Sequence, residues 1–329
     1  MKKFQTSRCY KLQMSFLGKC WSRALCEPAN PCYVGHSSKG AATSYYSLYI
    51  GWCLKTKLWA NGRNMLKTFE RAALEAGKAI IEVFCNGCPV EMKADESPVT
   101  SADREAERII LTHLERDFPK IPVIAEESVA AGKVPDIAGK SFFLVDPLDG
   151  TREFLDKRQE FTVNIAYVEN GIPVVGIVYA PALGVAFSGE RGNAEKLVID
   201  DEFAITQRMP INVRKQPAEG MALASFRHDS PETGLFLARH AISKCTNIGS
   251  SLKFCLLAEG KADVYPRFTR TMEWDTAAGD AVLRAAGGST VTMDGQPLIY
   301  GKTGAAADFD FANPHFVSWG GEKPAFEQA

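Results

Sequence analysis

The feature that most constrains this chain is an apolar stretch that ends in two closely spaced carboxylates. Residues 142–145 form a continuous apolar run, typical of a buried strand, and Asp146-Pro-Leu-Asp-Gly-Thr151 follows it directly. Carboxylates this close at a strand end repel each other unless a cation lies between them. Mg²⁺ prefers such oxygen ligands and shares them with substrate phosphate. The stretch therefore predicts a magnesium site, with the N–H groups of Gly150 and Thr151 as phosphate donors at a helix start.

The same residues also suit a plain polar turn, because Pro, Asp and Gly are ordinary turn residues. Taken alone, the stretch favours neither interpretation. A second acidic pair, Glu126 and Glu127, follows the predicted strand 122–125 in the same way. Neighbouring side chains of a strand point to opposite faces, so only one of the pair, Glu126 by preference, is expected to face a shared metal. The alternative is a solvated acidic loop.

Two further acids lie at predicted helix starts. Asp103 has capping-box spacing from Thr100, so it is either a first-turn acid or a group that orients a water near a metal. Asp275 is either the N-cap of its helix or another carboxylate delivered to the metal from the C-terminal half. Ser250 and Lys253, at the start of a third helix, suit a bound anion as well as a capped helix with an exposed lysine.

Bulk composition excludes several classes of protein. The chain has 329 residues, of which 46% are hydrophobic, and a net charge of −1. This composition is typical of a globular protein with a large core, and it argues against a nucleic-acid coat or a polybasic membrane anchor. No apolar run approaches the ~20 residues that a membrane-spanning helix needs.

Residues 1–64 differ from the rest of the chain. They contain ten Lys or Arg residues, a single acid, Glu27, and five of the nine cysteines. Three interpretations compete: a targeting sequence, a small metal or disulfide module, or an upstream stretch wrongly joined to the chain. We favour the last, and expect a disordered extension or a misassigned start, because a clean helical pattern begins at Met65.

From Met65 onward the apolar pattern predicts a mixture of helices and strands. Helices are expected at 65–84, from the capping box at Thr100 and Asp103 to about Arg116, at 247–260 and at 276–286. Small residues in the last of these indicate close packing against another element. Asn170-Gly171 between two alternating segments predicts a β-hairpin. The charged residues 190–209 predict a loop. The predicted strands are Phe161–Val168, Ile172–Tyr179, Gly184–Ser188, 210–213 and 221–226.

The ordered set Glu126-Glu-Ser, Asp146-Pro-Leu-Asp-Gly-Thr151 and Trp274-Asp275 resembles the inositol monophosphatase superfamily of lithium-sensitive, magnesium-dependent phosphatases. The resemblance covers essentially all of 65–320. Longer segments narrow it to the 3'(2'),5'-bisphosphate nucleotidases of that superfamily. These segments are Lys93 with Ser97–Asp103, Asp146–Phe154, Glu160–Ile165, Gly249–Cys255, Tyr265–Phe268 and Trp274–Gly279.

The resemblance implies a role for each matching residue. Asp103 and Thr151 would position the attacking water, with Lys93 near them and Glu126 as a further catalytic group. The implied metal ligands are Glu126, Asp146, Asp149, Asp275 and the carbonyl of Leu148. The implied substrate contacts are Glu126, Leu148, Asp149, Gly150, Thr151, His228, Ser250, Lys253, Arg267 and Asp275.

The resemblance also implies an α+β fold, a layered αβαβα sandwich of the sugar-phosphatase type, in two subdomains. Residues 65–209 would form an α+β subdomain with the metal site, and 210–329 an α/β subdomain that supplies Asp275 and nucleotide contacts. The implied reaction removes the 3'-phosphate of adenosine 3',5'-bisphosphate with two or three Mg²⁺ ions. It would also act on the related 5'-phosphosulfate, in sulfate assimilation and nucleotide recycling.

Alternatives remain at this stage. An inositol monophosphatase or another sugar phosphatase would share the scaffold, whereas a non-catalytic binding protein is disfavoured because no metal carboxylate is missing. The expected partner is a small nucleotide bisphosphate and not a nucleic acid. Cys245 and Cys255, expected to be buried free thiols, indicate a reducing compartment. The cytoplasm is therefore predicted, with peripheral association at the inner membrane left open, and the sequence does not indicate an oligomeric state.

Overall fold

The computed structural model describes residues 65–87, 90–92, 98–137, 141–215, 217, 219–225, 230–304 and 309–321. These residues belong to one compact unit, Gly62–Ala329. The expectation for residues 1–64 lies outside the described residues, as do Lys93 and His228. None of the helices in the described ranges is long and apolar enough to cross a membrane.

The described residues form seven helices and fourteen strands. The helices are α1 (65–86), α2 (Ser101–Asp117), α3 (Glu126–Ala130), α4 (Thr151–Leu155), α5 (Pro231–Arg239), α6 (Leu252–Ala258) and α7 (Glu273–Ala285). The first strands are β1 (Val90–Met92), β2 (Pro98–Thr100), β3 (Val123–Ala125), β4 (Phe142–Asp149), β5 (Thr162–Glu169), β6 (Ile172–Ala180) and β7 (Val185–Glu190). The remaining strands are β8 (Asn193–Ile199), β9 (Ile205–Pro210), β10 (Met221–Ala224), β11 (Lys244–Asn247), β12 (Val264–Arg267), β13 (Ser289–Thr292) and β14 (Phe316–Trp319).

A seven-stranded sheet with the sequential order β3 to β9 forms the larger half of the fold. Only β3 and β4 pair in parallel, and every later neighbour is antiparallel. The β5–β6 hairpin turns at Asn170 and Gly171, whose φ angles of 52° and 75° are those a two-residue hairpin turn requires. The hairpin predicted from Asn-Gly is therefore confirmed.

Both faces of this sheet are covered, as the continuous apolar run of β4 predicts. Phe143 and Val145 pack in one cluster with Phe69 of α1 and Ile110 of α2. Their neighbours Phe142 and Leu144, on the opposite face, belong to a second cluster with α6 and α7. Alternation along one strand thus assigns two helices to each side of the sheet.

A five-stranded sheet with the order β11-β10-β12-β14-β13 lies beyond α6 and α7. Phe254 of α6 stacks on Phe316 of β14, with ring centroids 6.1 Å apart. On the other face, Trp319 of β14 packs against Phe236 of α5 in a separate cluster. The layers are therefore α1/α2, sheet, α6/α7, sheet and α5, which confirms the predicted αβαβα sandwich. The division into subdomains at residue 210 stays a prediction.

Three local predictions are wrong. Residues 190–209 are not a loop, because β8 and β9 extend the sheet to its far edge. Charged residues of these strands form ion pairs. Arg208 on β9 donates to both carboxylate oxygens of Glu70 on α1, at 2.8 and 2.7 Å, and to Glu195 at 3.2 Å. The chain leaves the sheet after Pro210, so 210–213 is no strand. Cys255 is buried, but Cys245 is exposed because β11 is an edge strand.

Close contact between α7 and the larger sheet depends on glycine. A Cβ atom at Gly176 of β6 would lie 2.6 Å from the carbonyl oxygen of Ala278, and one at Gly189 of β7 would lie 2.6 Å from the Cα of Val282. Main-chain atoms cannot move aside as a flexible side chain can. The small residues of α7 and of the facing strands therefore let the helix approach the sheet closely, as the sequence predicts.

We expect Gly176→Ala to lower the free energy of unfolding by about 1–3 kcal/mol, because the new methyl group overpacks the contact between β6 and α7. Gly234→Ala in α5 is the matched control: its Cβ would meet nothing within 4 Å, and alanine favours a helix. Denaturant unfolding of both variants measures the difference. Equal stability of the two variants would contradict the proposed close contact.

Candidate active site

Asp103, in the first turn of α2, contacts Thr151, the first residue of α4. Thr100 caps the helix, and Asp103 closes the capping box by accepting from the Thr100 N–H at 2.8 Å and from its hydroxyl at 2.7 Å. The second oxygen of Asp103 accepts from the Thr151 hydroxyl at 3.1 Å. Asp103 is thus a structural capping residue that also contacts Thr151, and its role in orienting a water stays a prediction.

Glu126 reaches the site from the junction of β3 and α3. The N–H of Glu127 and the hydroxyl of Ser128 donate to the two carboxylate oxygens of the buried Glu107, at 2.8 and 2.7 Å. These bonds fix the start of α3, a short helix where a solvated loop was the alternative. Glu126, and not Glu127, lines the cavity described below, as predicted. Both residues lie in the first turn of α3, so the strand alternation used for the prediction is not the reason.

The end of β4 is irregular, and this irregularity orients the polar groups of Asp146, Leu148 and Asp149. The register with β5 shifts between Asp146 and Asp149, and the Leu148 N–H donates to Asp146 at 3.0 Å. Gly150 has a φ of 92°, and a Cβ there would lie 3.2 Å from the Glu160 carbonyl oxygen. This turn brings the Thr151 hydroxyl oxygen to 3.2 Å from the Leu148 carbonyl oxygen, which competes with Asp103 for the one hydroxyl proton.

Ser251 joins three elements that carry site residues. Its N–H and its hydroxyl donate to the same carboxylate oxygen of Asp149, at 2.6 and 2.8 Å. Its hydroxyl oxygen lies 2.6 Å from the main-chain carbonyl of Asp275 and accepts from the Asn164 amide at 2.9 Å. The sequence analysis singled out Ser250 and missed Ser251, since nothing local indicates contacts with partners so distant in sequence.

Asp275 lies in the first turn of α7 and is not its N-cap, which is Met272. One carboxylate oxygen of Asp275 accepts from the Met272 N–H at 2.8 Å. The side chain thus turns back to the N-cap as the third residue of a capping box, and it also lines the cavity. Of the two roles that the sequence left open, the structure places Asp275 beside the other carboxylates.

The four acids predicted as metal ligands interact electrostatically. Burial raises the pKa of Asp146 well above its usual value, and Glu126, Asp149 and Asp275 raise it further. Burial likewise raises the pKa of Asp275 to about 8, with contributions from Asp149 and Glu126. Several carboxylates withdrawn from water beside one another lack compensating positive charge. A hard divalent cation would supply that charge.

No three His, Cys, Asp or Glu side chains of the described residues enclose a common point as a finished metal site does. Instead, Asp146, Asp149 and Asp275 each accept a hydrogen bond from a nearby main-chain N–H, and Glu126 hydrogen-bonds with Asp146. Small side-chain rotations would turn these carboxylates toward a common cation. Their clustered negative charge favours binding of such a cation. The oxygen-only donor set fits Mg²⁺.

Positively charged side chains also lie at the site. Lys253 is 4% exposed, and its ammonium group lies 5.1 Å from the centre of the Tyr265 ring. Burial lowers the pKa of Lys253 to about 8, although the charge of Asp149 opposes this effect. Arg267, 8% exposed, and the exposed Arg270 follow on β12 and the turn after it.

One cavity of about 360 Å³ is lined by both the acids and the cations. Asp146 and Leu148 are buried beside it, each 1% exposed, and Asp103 reaches it through Thr151. The sequence did not indicate Asn164, Ser251 or Arg270 as site residues. For Asn164 the one available signal was a polar amide within an otherwise apolar strand. The predicted residues that line the cavity are Glu126, Asp149, Gly150, Thr151, Ser250, Lys253, Arg267 and Asp275.

Comparison with known proteins agrees with this arrangement. The sequence profile of the inositol monophosphatase family matches residues 61–315, which is most of the chain. The chain belongs to the inositol monophosphatase family. It is thus an enzyme of the phosphatase class, and members of this family are generally metal-dependent, usually on Mg²⁺.

Relatives within the family include bisphosphate nucleotidases. The chain is 41% identical over 238 residues to the 3'(2'),5'-bisphosphate nucleotidase CysQ of Escherichia coli O157:H7, an alignment that covers 72% of this chain and 94% of the relative. The structure of CysQ from Bacteroides thetaiotaomicron superposes with a TM-score of 0.62 at 35% identity, covering 78% of this chain and 97% of the other. An inositol monophosphatase of Thermotoga maritima gives 0.61 at 25% identity, covering 78% and 92%.

We expect Thr151→Val to lower kcat on the order of 10²-fold or more, because valine keeps the volume but removes the hydroxyl that contacts Asp103. Thr151→Ser should retain most of the activity. Thr206→Val is the matched control, since the Thr206 hydroxyl donates only to a β8 carbonyl. Steady-state phosphate release measures all three variants, and a serine variant as inactive as the valine variant would contradict this role.

Proposed function

We propose that this enzyme hydrolyses the 3'-phosphate of adenosine 3',5'-bisphosphate, producing AMP and inorganic phosphate, and acts likewise on the related 5'-phosphosulfate. One observation carries the proposal. A single cavity is lined both by the carboxylates Glu126, Asp149 and Asp275 and by the cations Lys253, Arg267 and Arg270. A substrate with two phosphates matches both sets of charges: one phosphate reacts beside the cation-binding acids, and the other is neutralised by the cations.

We assign Mg²⁺, as two or three ions, to Glu126, Asp146, Asp149, Asp275 and the Leu148 carbonyl. When bound, the ions would lower the pKa of a water nucleophile and stabilise the charge on the phosphoryl group and on the leaving oxygen. Even when the Leu148 carbonyl accepts the bond from Thr151, its second lone pair remains for a metal. Ser251 and Met272 hold Asp149 and Asp275 in orientation through their N–H groups.

Asp103 and Thr151 position the attacking water in this proposal. The Thr151 hydroxyl donates to Asp103, so its oxygen lone pairs can accept a proton from water. As the water oxygen bonds to phosphorus, its proton passes to Thr151, whose own proton passes to Asp103. Lys93 and Glu126 complete the catalytic group by resemblance to the family. The bond between phosphorus and the ribose oxygen breaks, the ribose oxygen takes a proton from solvent water, and no covalent phosphoenzyme is required.

The proposed nucleotide contacts are Ser250, Lys253, Arg267 and His228. Ser250 lines the cavity with a φ of 49°, and its buried hydroxyl oxygen has no hydrogen-bond partner among the described residues. A substrate oxygen would satisfy that hydroxyl. Lys253 and Arg267 supply positive charge, and His228 is assigned here by resemblance alone. The main-chain groups of Gly150 and Thr151 would meet the reacting phosphate.

An inositol monophosphatase or another sugar phosphatase is the nearest alternative. It would use the carboxylates and Thr151 in the same way. Its substrate would bring no second phosphate to the cations of the cavity lining, which include the exposed Arg270. A non-catalytic binding protein fits less well, because all four carboxylates are present. Sensitivity to Li⁺, a place in sulfur metabolism, a cytoplasmic location and peripheral membrane association stay predictions.

The substrate assignment is tested by phosphate release from adenosine 3',5'-bisphosphate and from inositol 1-phosphate, side by side with Mg²⁺. We expect kcat/KM to favour the bisphosphate at least tenfold, because one charge-assisted contact to a second phosphate contributes about 1.5–3 kcal/mol. Removing Mg²⁺ with a chelator should abolish both activities, and Li⁺ should inhibit them. Preference for the inositol ester would overturn the nucleotidase assignment.

The metal assignment is tested by Asp149→Asn. Asparagine can still accept the hydrogen bonds from Ser251, so the fold should survive. Turnover should fall on the order of 10²–10³-fold, since a charged metal ligand is lost. Added Mg²⁺ should raise the Tm of the wild type and of the control Asp294→Asn, but much less that of Asp149→Asn. An unchanged Mg²⁺-induced Tm shift in Asp149→Asn would refute the assignment.

A further inference from the structure

We propose that Arg270, held by Phe309, is the residue that binds the phosphate the enzyme does not hydrolyse. This inference rests on the proposed nucleotidase function. It assigns the specificity for a second phosphate to an exposed residue at the mouth of the cavity. Lys253 and Arg267 then provide background charge and position the main chain around it.

Lys253 is largely engaged by its own loop. Its ammonium group donates to the carbonyl of Ile248 at 3.2 Å and to that of Ser250. The third donor direction lies in a buried setting against the Tyr265 ring. Lys253 therefore fixes the turn before α6, where Ser250 has a positive φ, and it has little remaining capacity to bind a phosphate with two or three oxygens.

Arg267 is likewise engaged by the main chain. Its Nε donates to the Thr269 carbonyl at 3.1 Å, and a terminal nitrogen donates to the Arg270 carbonyl at 3.2 Å. These bonds fold the turn after β12 over the buried guanidinium. They fix the main chain of Arg270 and so set where its side chain can reach.

Arg270 differs from both buried cations. It is exposed and lines the cavity, and its guanidinium makes no hydrogen bond or ion pair with a residue in the described ranges. Its carbon Cζ lies 4.6 Å from the centre of the Phe309 ring. Phe309 is itself 65% exposed, so the contact lies at the protein surface.

The stacked arrangement suits a phosphate. A guanidinium lying over a ring keeps its plane fixed, while the N–H groups around its edge still point outward. Two parallel N–H donors match two oxygens of one phosphate, and such charge-assisted pairs are among the strongest hydrogen bonds in proteins. A free nucleoside monophosphate with its only phosphate among the carboxylates would leave this site unused.

The experiment compares two substrates that differ only in this phosphate: adenosine 3',5'-bisphosphate and adenosine 3'-monophosphate. Arg270→Gln should raise KM for the bisphosphate on the order of 10- to 100-fold and leave kcat unchanged. The kinetics with the monophosphate should not change. Arg270→Lys should lie between, because an ammonium group is a point charge without the planar fork.

Phe309 acts through Arg270, so its test includes a rescue. Phe309→Leu should raise KM for the bisphosphate only about two- to fivefold, the scale of an exposed cation–π contact. Phe309→Tyr should restore the wild-type value. Arg239→Gln, which removes a charge from an exposed position on α5 outside the cavity lining, controls for net charge.

Several outcomes would overturn the inference. Equal losses with both substrates would make Arg270 a structural residue, and no loss with either would remove it from the site. A selective loss in Arg152→Gln but not in Arg270→Gln would assign the role to the other exposed arginine of the cavity lining. A wild type that hydrolyses the bisphosphate while Arg270→Gln matches it refutes this inference alone. A wild type inactive on the bisphosphate refutes the proposed function as well.

Discussion

Mutual repulsion among carboxyl groups buried at the end of β4 is the constraint on which the rest of the site depends. Asp146 is 1% exposed, and its pKa is raised by burial and by three acidic neighbours. Such a cluster is unfavourable in a metal-free protein, so it is retained only where the rest of the fold is stable enough to hold it. The αβαβα layers provide that stability, because every layer next to the acids is closely packed.

The scaffold controls the acids by fixing their main chains and not by pairing their charges. The bulge after Asp146, the positive φ of Gly150 and the Ser251 bonds to Asp149 each set a direction for a carboxylate. Glycine at Gly176 allows α7 to approach the sheet, and this approach brings Asp275 within reach of the others. Packing and chemistry are therefore linked through small residues that carry no functional group.

Local signals in the sequence predicted much of this. Asp146–Thr151 identified the site, and Asn170-Gly171 fixed a hairpin, because in both cases the information lies within a few neighbouring residues. Residues 190–209 were read as a loop since their charges pair with distant groups such as Glu70, a contact that periodicity does not reveal. Ser251 and Asn164 were not predicted for the same reason. Their polar partners lie on other elements, and only the folded chain brings them together.

The position of α7 between the two sheets determines when the phosphatase centre can exist. Its first turn carries Asp275, whereas the acids of β4 belong to a segment synthesised much earlier. Pairings between segments so far apart form late, because loop-closure entropy opposes them until the intervening chain has folded. Before α7 docks, Asp275 cannot join the acids of β4. A nascent chain whose C-terminal segment is still inside the ribosome therefore lacks a complete catalytic centre.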